Sequence, residues 1–373
     1  MKFKIKRELL LESLNKVSKA ISTKNLIPVL AGIRFDLKKT KLTLTASDND
    51  ITIQTSISSS DDFIIDKEGS IIIQGKYILD IVRKLPDEFI DIEVIDDLKI
   101  LISTENSEYN LNGISEKEYP NISLEESKNK VTVESSTLID IVNQTAFATS
   151  NEENKPILTG INFNIVGDIL ECNSTDSYRL ARKVIKLEEE SSETYNIVIP
   201  SRNIIEFSKI ISNCEDKVEI NIFSNKVLFK VNNLLFQSRL INGTFPNTSN
   251  LLPKEEMLTI STSLSAFYDV IDRVSILTSD KEKNIVTLET KDDYLILRSS
   301  SSEIGKVEEK MPITKDNKEN IKISFSAKYM MEALKSFSTE SVDIHFIGEI
   351  KPILIKSNED ETLTQLVLPI RTY

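Results

Sequence analysis

The feature that most constrains this chain is an internal repeat. Lys76-Tyr77-Ile78-Leu79-Asp80-Ile81-Val82-Arg83-Lys84-Leu85 returns 126 residues later as Arg202-Asn203-Ile204-Ile205-Glu206-Phe207-Ser208-Lys209-Ile210-Ile211. After another 126 residues it returns as Lys328-Tyr329-Met330-Met331-Glu332-Ala333-Leu334-Lys335-Ser336-Phe337. Each copy opens on a base, carries an acid four positions on, and follows a strand-like apolar run at 71–74, 197–199 or 321–325. Glu118-Tyr119-Pro120-Asn121-Ile122 matches Thr244-Phe245-Pro246-Asn247-Thr248 at the same shift. Pro28-Val29-Leu30-Ala31-Gly32-Ile33-Arg34-Phe35 matches Pro156-Ile157-Leu158-Thr159-Gly160-Ile161-Asn162-Phe163 at a shift of 128, with Asn284-Ile285-Val286-Thr287-Leu288 in the third place. A period this long makes each copy a domain rather than a solenoid unit. The 373 residues then divide as 1–127, 128–253 and 254–373.

Each domain reads as two similar halves of strand, helix, then two or three strands. Apolar residues at helical spacing predict helices over 7–19, 76–84, 137–148, 202–211, 264–276 and 328–337, as in Leu10/Leu14/Val17 and Ile204/Phe207/Ile211. Strict alternation, as in Leu42-Thr43-Leu44-Thr45 and Val227-Leu228-Phe229-Lys230-Val231, predicts strands joined by hairpin-length turns such as 38–40. The fold class is α+β, with two helices per domain packed on antiparallel sheets.

The usual signatures of an enzyme are missing. The single histidine, His345, lies in an alternating run, and no HExxH, GxSxG or Cys/His ligand set occurs. Gly69-Ser70-Ile71-Ile72-Ile73-Gln74-Gly75-Lys76-Tyr77 superficially resembles a phosphate-binding loop. It has five residues between its glycines and Tyr77 after the lysine, where four residues and Ser or Thr are needed. The acidic pairs Asp48/Asp50, Asp61/Asp62, Asp96/Asp97 and Asp292/Asp293 read as turn residues. No cofactor and no metal are expected. Cys172 and Cys214 are distant and lack a CxxC, which suits reduced thiols in the cytoplasm. No apolar run approaches the roughly 20 residues that span a bilayer, and the charged start of the chain does not resemble an export signal.

Net charge is −12, which argues against dense phosphate contact. The distribution is uneven. The six helical windows carry a slight excess of base, although the third contributes none and the fifth is net acidic; the remainder holds the acid excess. Lys76, Asp80, Arg83 and Lys84 share one helical face, which also suits ordinary solvated ion pairs.

Further segments carry a family resemblance. Met1-Lys2-Phe3, Ser174-Thr175-Asp176-Ser177-Tyr178-Arg179-Leu180-Ala181, Phe245-Pro246-Asn247 with Leu251-Leu252-Pro253, and Leu366-Val367-Leu368-Pro369-Ile370-Arg371 occur in the order of the bacterial DNA polymerase III β subunits, the DNA sliding clamps. The chain resembles that family along its whole length. The resemblance implies a head-to-tail homodimeric ring around double-stranded DNA, with helices inside and sheets outside. It implies DNA-facing Lys24, Lys76, Arg83, Arg202, Lys281 and Lys328, and a dimer interface of Tyr109 and Leu111 against Ile276 and Leu277. A peptide pocket between the second and third domains would use Leu158, Thr175, Ser177, Tyr178, Arg179, Leu180, Pro246, Leu251, Pro352 and the tail Leu366, Val367, Leu368, Pro369, Ile370 and Arg371.

The implied role is non-enzymatic. The ring tethers the replicative polymerase α subunit, and a separate ATP-driven clamp loader, other polymerases and repair proteins use the same pocket through short motifs. The cytoplasm, at the nucleoid, is the expected location, without membrane attachment. Two departures bear on motif preference: Tyr178 stands where the family usually has His, and Thr372-Tyr373 extend the usual ending. A monomeric peptide-binding adaptor and a metal-dependent nuclease are the competing readings.

Overall fold

The computed structural model describes residues 1–21, 27–96, 98–152, 154–252, 257–278 and 284–371. Among them are six α-helices: α1 (Arg7–Val17), α2 (Gly75–Lys84), α3 (Ser135–Thr145), α4 (Ser201–Ile210), α5 (Leu264–Ser275) and α6 (Ala327–Lys335). Each follows a strand with no intervening residue. At α5 and α6 the side chains of Ser263 and Ser326 accept the N–H groups of Ala266 and Tyr329, satisfying donors that a helix start leaves open. The phosphate-loop look-alike is one of these passages, from the strand Gly69–Gln74 into α2. Gly75 is there for packing, since a Cβ would meet Ile21 Cδ1 at 2.2 Å.

All pairings between the described strands are antiparallel. The chain divides into two compact units that do not follow the repeat. One is Met1–Leu138 with Arg202–Leu240, and the other is Ile139–Ser201 with Ile241–Tyr373.

The first unit holds two sheets. One has eight strands, in the order Lys130–Glu134, Lys217–Ile222, Lys226–Val231, Leu234–Arg239, Ile51–Ser58, Lys41–Ser47, Gly32–Lys38 and Gly69–Gln74. Strands of the central repeat thus extend the sheet of the first repeat and cover an edge that would otherwise be open. The other sheet has five strands and ends on Glu108–Asn112. Helix α1 lies on Lys41–Ser47 and Ile51–Ser58 and against α2. Its face of Leu10, Leu14 and Val17 is fully buried, at about 1.5–3 kcal/mol per side chain. Phe207 stacks on Phe229 at 4.6 Å beside Phe236, within the same unit.

The second unit repeats this plan. Its nine-stranded sheet joins the central repeat to the third through Arg179–Lys186 and Asp360–Val367, and a four-stranded sheet ends on Gly305–Pro312 and Lys322–Ser326. The core beneath α5 and α6 gathers Phe267, Ile271, Phe325, Met330, Ile344 and Phe346. Gly32 and Gly160 recur for one reason: each begins a strand against its neighbour, where a Cβ would lie 2.3 Å from Ile72 Cγ2 or 2.6 Å from the Ile199 carbonyl.

Candidate functional site

The site grows from a hairpin turn in the second unit. Asp176 Oδ1 accepts the N–H groups of Tyr178 (2.9 Å) and Arg179 (3.1 Å), and Ser177 takes φ 82°. Thr175 Oγ1 donates to the Arg179 carbonyl at 2.6 Å and accepts the Ser177 N–H at 3.1 Å. The turn therefore presents Tyr178 outward, 60% exposed. The C-terminal strand pairs alongside, Arg179 with Val367 and Leu180 with Leu366. One step beyond, the Leu368 N–H donates to the Tyr178 carbonyl at 2.9 Å.

Strand alternation then sorts the tail. Leu366 joins Leu180 and Leu354 in a small buried cluster, with Leu252, Ile347 and Leu368 packed against it. Val367 faces the other way, into the core with Ile353, Ile355 and Leu363. Leu158 belongs to a second small cluster with Val198 and Phe245. Pro246 and Leu251 are exposed, and Pro352 is half-buried. Past Leu368 the tail leaves this sheet, and the Ile370 N–H donates to the Ser324 carbonyl at 2.7 Å. Pro369, Ile370 and Arg371 there wall a cavity of about 560 Å³ with Lys322, Ile323, Ser324, Glu349 and Ile350. Thr372 and Tyr373 lie outside the described residues.

The first unit contains the same construction. Asp48 Oδ1 accepts the N–H groups of Asp50 (3.0 Å) and Ile51 (2.9 Å), Asn49 has φ 78°, and the Arg239 N–H donates to the Asp50 carbonyl at 2.9 Å. Thr52 pairs with Gln237, and Gln237 with Leu228. Thr52, Gln237 and Leu228 thus stand where Leu180, Leu366 and Leu354 stand in the second unit. Only the second copy offers an apolar floor. Asp48 and Asp50 are employed in this turn, which is the local hydrogen bonding expected of acids between short strands.

Arg179, expected in the pocket, turns its guanidinium inward and is 9% exposed. Nε donates to Asp176 Oδ2 at 2.9 Å, Nη2 to the Phe147 carbonyl at 2.6 Å, and Nη1 to Glu332. The rings of Tyr329 and Phe147 lie against it at 4.5 and 5.3 Å, and Tyr329 stacks on Tyr178. Burial raises the Tyr329 phenol pKa, the Asp176 carboxylate adds to the rise, and Arg179 opposes it. Phe147, Tyr329, Glu332 and Ile350 were not singled out from sequence. Glu332 carried the one available signal, as the recurring acid of the repeat. In α2 and α4 that acid pairs along its own helix, Asp80 with Arg83 (3.7 Å) and Glu206 with Lys209 (2.7 Å). In α6 it leaves the helix for Arg179.

Of the DNA-facing set, Lys24 and Lys281 lie outside the described residues. Lys76 and Arg83 are exposed on α2 and Lys328 on α6. Arg202, at the start of α4, has a side chain 76% exposed and approaches Asp48 at 3.7 Å. Of the interface set, Tyr109 and Leu111 lie on Glu108–Asn112, the edge strand of the five-stranded sheet among the described residues, opposite the fully buried Ile102 and Ile100. They carry the apolar row of the core out to the sheet edge, where Tyr109 is 39% exposed. Ile276 caps α5 and is 71% exposed, with Leu277 half-buried beside it. No helix among the described residues is long and apolar enough to cross a membrane.

Three family models match consecutively: the DNA polymerase III beta subunit N-terminal domain over residues 1–123, its central domain over 132–247 and its C-terminal domain over 249–371. A beta sliding clamp of Staphylococcus aureus is 38% identical over 377 residues, covering 100% of both chains. The DNA polymerase sliding clamp from Bacillus subtilis superposes with a TM-score of 0.96 at 37% identity, covering 100% of both chains. The beta subunit from the DNA polymerase of Streptococcus pyogenes does so with a TM-score of 0.95 at 30% identity, again covering 100% of both.

Proposed function

This chain belongs to the DNA polymerase III beta subunit family, the DNA sliding clamps, and from that premise we propose how its residues divide the work of a processivity factor. The protein is no enzyme; it acts by holding a polymerase to DNA. Three domains, 1–127, 128–253 and 254–373, form half of a ring, and a second copy head to tail completes it. The free sheet edge bearing Tyr109 and Leu111 meets the end of the third domain bearing Ile276 and Leu277. Pairing there buries an apolar row and a line of unmet backbone groups together.

Lys76, Arg83, Arg202 and Lys328, with Lys24 and Lys281, face the duplex. Asp80 beside Arg83 and Asp48 beside Arg202 temper that attraction. A few tempered charges give a shallow, sequence-independent well, because phosphate contact carries no base information and dense contact holds a protein in place. Retention then comes from enclosure, which reconciles a net charge of −12 with a DNA-bound role. The location is the cytoplasm, at the nucleoid.

Peptide motifs of the replicative polymerase, the clamp loader and repair proteins dock on the second unit, between the turn 176–178 and the tail 366–371. One observation supports this placement above the others: of two hairpins built alike, only this one has a leucine floor of Leu180, Leu354 and Leu366. An apolar side chain desolvated there gains about 25 cal/mol per Å² buried.

The test of the clamp reading is topological. Protein loaded on nicked circular DNA should be retained, and linearising the DNA should release it by sliding off the ends. Equal retention on both forms would contradict encirclement.

A further inference from the structure

A strap crosses the seam between the first two repeats. Within the eight-stranded sheet that seam is the pairing of Ile51–Ser58 with Leu234–Arg239. The chain leaves the first repeat at Tyr119, packed with Leu30 and Ile72. It enters the central repeat at Lys130, on the strand at the opposite edge of the sheet from Ile72. Residues 120–128 between them form neither helix nor strand. Side chains of the central repeat fasten them instead. Lys226 Nζ donates to the Ser123 carbonyl at 2.8 Å, and Lys230 Nζ to both oxygens of Glu126 at 2.8 and 2.9 Å. The fully buried Asn221 accepts the Ser127 N–H on Oδ1 at 2.9 Å. Glu219 lies 3.8 Å from Lys230 and 2.7 Å from Lys130, which joins the far end of the strap to the same charge group.

The fastening is particular to this copy. At the 126-residue shift of the repeat, Glu126 corresponds to Leu252, which packs on the leucine cluster of the second unit. An ionic hold stands where the other copy has an apolar one. The reach of the chain makes this hold mechanical. Four chain steps from Tyr119 to Ser123 span at most about 14 Å. The strands that hold these residues, Gly69–Gln74 and Lys226–Val231, are five strand spacings apart, roughly 24 Å. The Tyr119 and Lys226 side chains bridge the remainder, so the seam has little slack to widen while both ends stay attached.

We propose that residues 119–130 are an ionic strap that locks the seam between the first two repeats and thereby restrains opening of the ring, which rests on the clamp reading above. Exposed ion pairs are individually weak and are screened by salt. The strap is therefore seated at low salt and released as salt rises, with the apolar core untouched.

The experiment compares the full-length wild type with two variants. One combines Lys226→Met and Lys230→Met, which keep the stems and remove the charges. The other inserts Gly-Ser-Gly between Ile122 and Ser123, which adds slack and changes no side chain, so it keeps the test open should the Met substitutions disturb the sheet. A glutamate-specific protease reads the strap at Glu125 and Glu126, which all three proteins retain, because a seated segment is cut only in its open fraction. Cutting at the exposed Glu188, Glu189 and Glu190 serves as the reference. Relative to it, wild-type cleavage of the strap should rise at least about threefold between about 0.05 and 0.5 M NaCl. The double Met variant should be cut at the higher rate at both salts. At low salt, the half-life on nicked circular DNA should fall at least about threefold in both variants, with the sedimenting dimer unchanged.

Equal, salt-insensitive cleavage in the wild type and the double variant overturns the ionic hold. Faster cleavage with an unchanged half-life, or an insertion variant retained like the wild type, overturns the restraint on opening. Wild type retained equally on linear DNA refutes the clamp reading and takes the ring restraint with it, whereas the cleavage result still decides the strap.

Discussion

Asn49 and Ser177 hold the same left-handed backbone conformation, φ 78° and 82°, 128 residues apart. Each is the middle residue of a turn fastened by the preceding aspartate, and each turn is followed by a strand that pairs with another repeat. One backbone device has therefore been used twice. What differs is the side chains laid over it, Thr52 and Gln237 in one copy and Leu180 and Leu366 in the other. The predictions below begin from that difference.

Copying the polar floor into the apolar site should disable it. Leu366→Gln places an amide where Leu366, 2% exposed, now packs on Leu180 and Leu354. Polymerase-derived peptide affinity should fall at least about tenfold, with a stability loss of about 2–4 kcal/mol from burying an unmet polar group and losing packing. Fluorescence anisotropy and urea unfolding measure the two. Unchanged affinity would move the peptide site elsewhere.

The reverse exchange should stabilise the protein. Gln237 Oε1 is buried without a hydrogen-bond partner among the described residues. Gln237→Leu removes that cost and adds apolar contact with Leu228, for a gain of about 1 kcal/mol. A thermal midpoint that falls instead would mean the amide is satisfied in solution.

The tail beyond Leu368 walls the groove while adding little to the core. Truncation after Leu368 removes Pro369, Ile370 and Arg371 and the Ile370–Ser324 hydrogen bond. Stability should fall by only about 1 kcal/mol, whereas processive synthesis by the cognate polymerase should be lost. Normal processivity from this truncation would refute the groove assignment.

The edge strand offers a test of ring closure. Tyr109→Glu with Leu111→Glu puts two charges into the row that continues Ile100 and Ile102. Sedimentation should shift from about twice 42.2 kDa to 42.2 kDa with unfolding otherwise unchanged, since two unpaired carboxylates would lose their water against the apolar Ile276 and Leu277. A persisting dimer would place the contact on another surface.

Acid should weaken the link between the central and third repeats. Lys183, 7% exposed, meets Asp360 at 2.9 Å. Burial pushes the Asp360 carboxyl up, but the Thr362 hydroxyl and Lys183 outweigh it and hold the pKa below its ordinary value. A carboxylate lowered in the folded state stabilises above its unfolded pKa near 3.9 and loses that contribution as pH falls through the folded value. Asp360→Asn should cost about 1–3 kcal/mol at neutral pH and flatten the acid limb of a stability–pH curve. An acid limb identical to the wild type's would exclude this pair as its source.

The repeat, the six helices, the strand runs and the turn at 48–50 were legible in the sequence because they follow from short-range patterns, whereas the matching turn at 176–178 was not read there. Apolar spacing fixes a helix face, alternation fixes a strand face, and an aspartate before a residue with positive φ fixes a turn. Tertiary structure decided which equivalent residues received different work. Glu332 has the same repeat position as Asp80 and Glu206, yet it alone leaves its helix, because the strand register brings Arg179 within reach. Leu366, Val367 and Leu368 read alike as a tail, yet alternation sends Val367 to the core and leaves its neighbours on the floor. Thr52 and Gln237 acquire meaning only once the two strands are known to pair. No local rule links residues 185 positions apart, whereas a register fixed by burying one sheet face does.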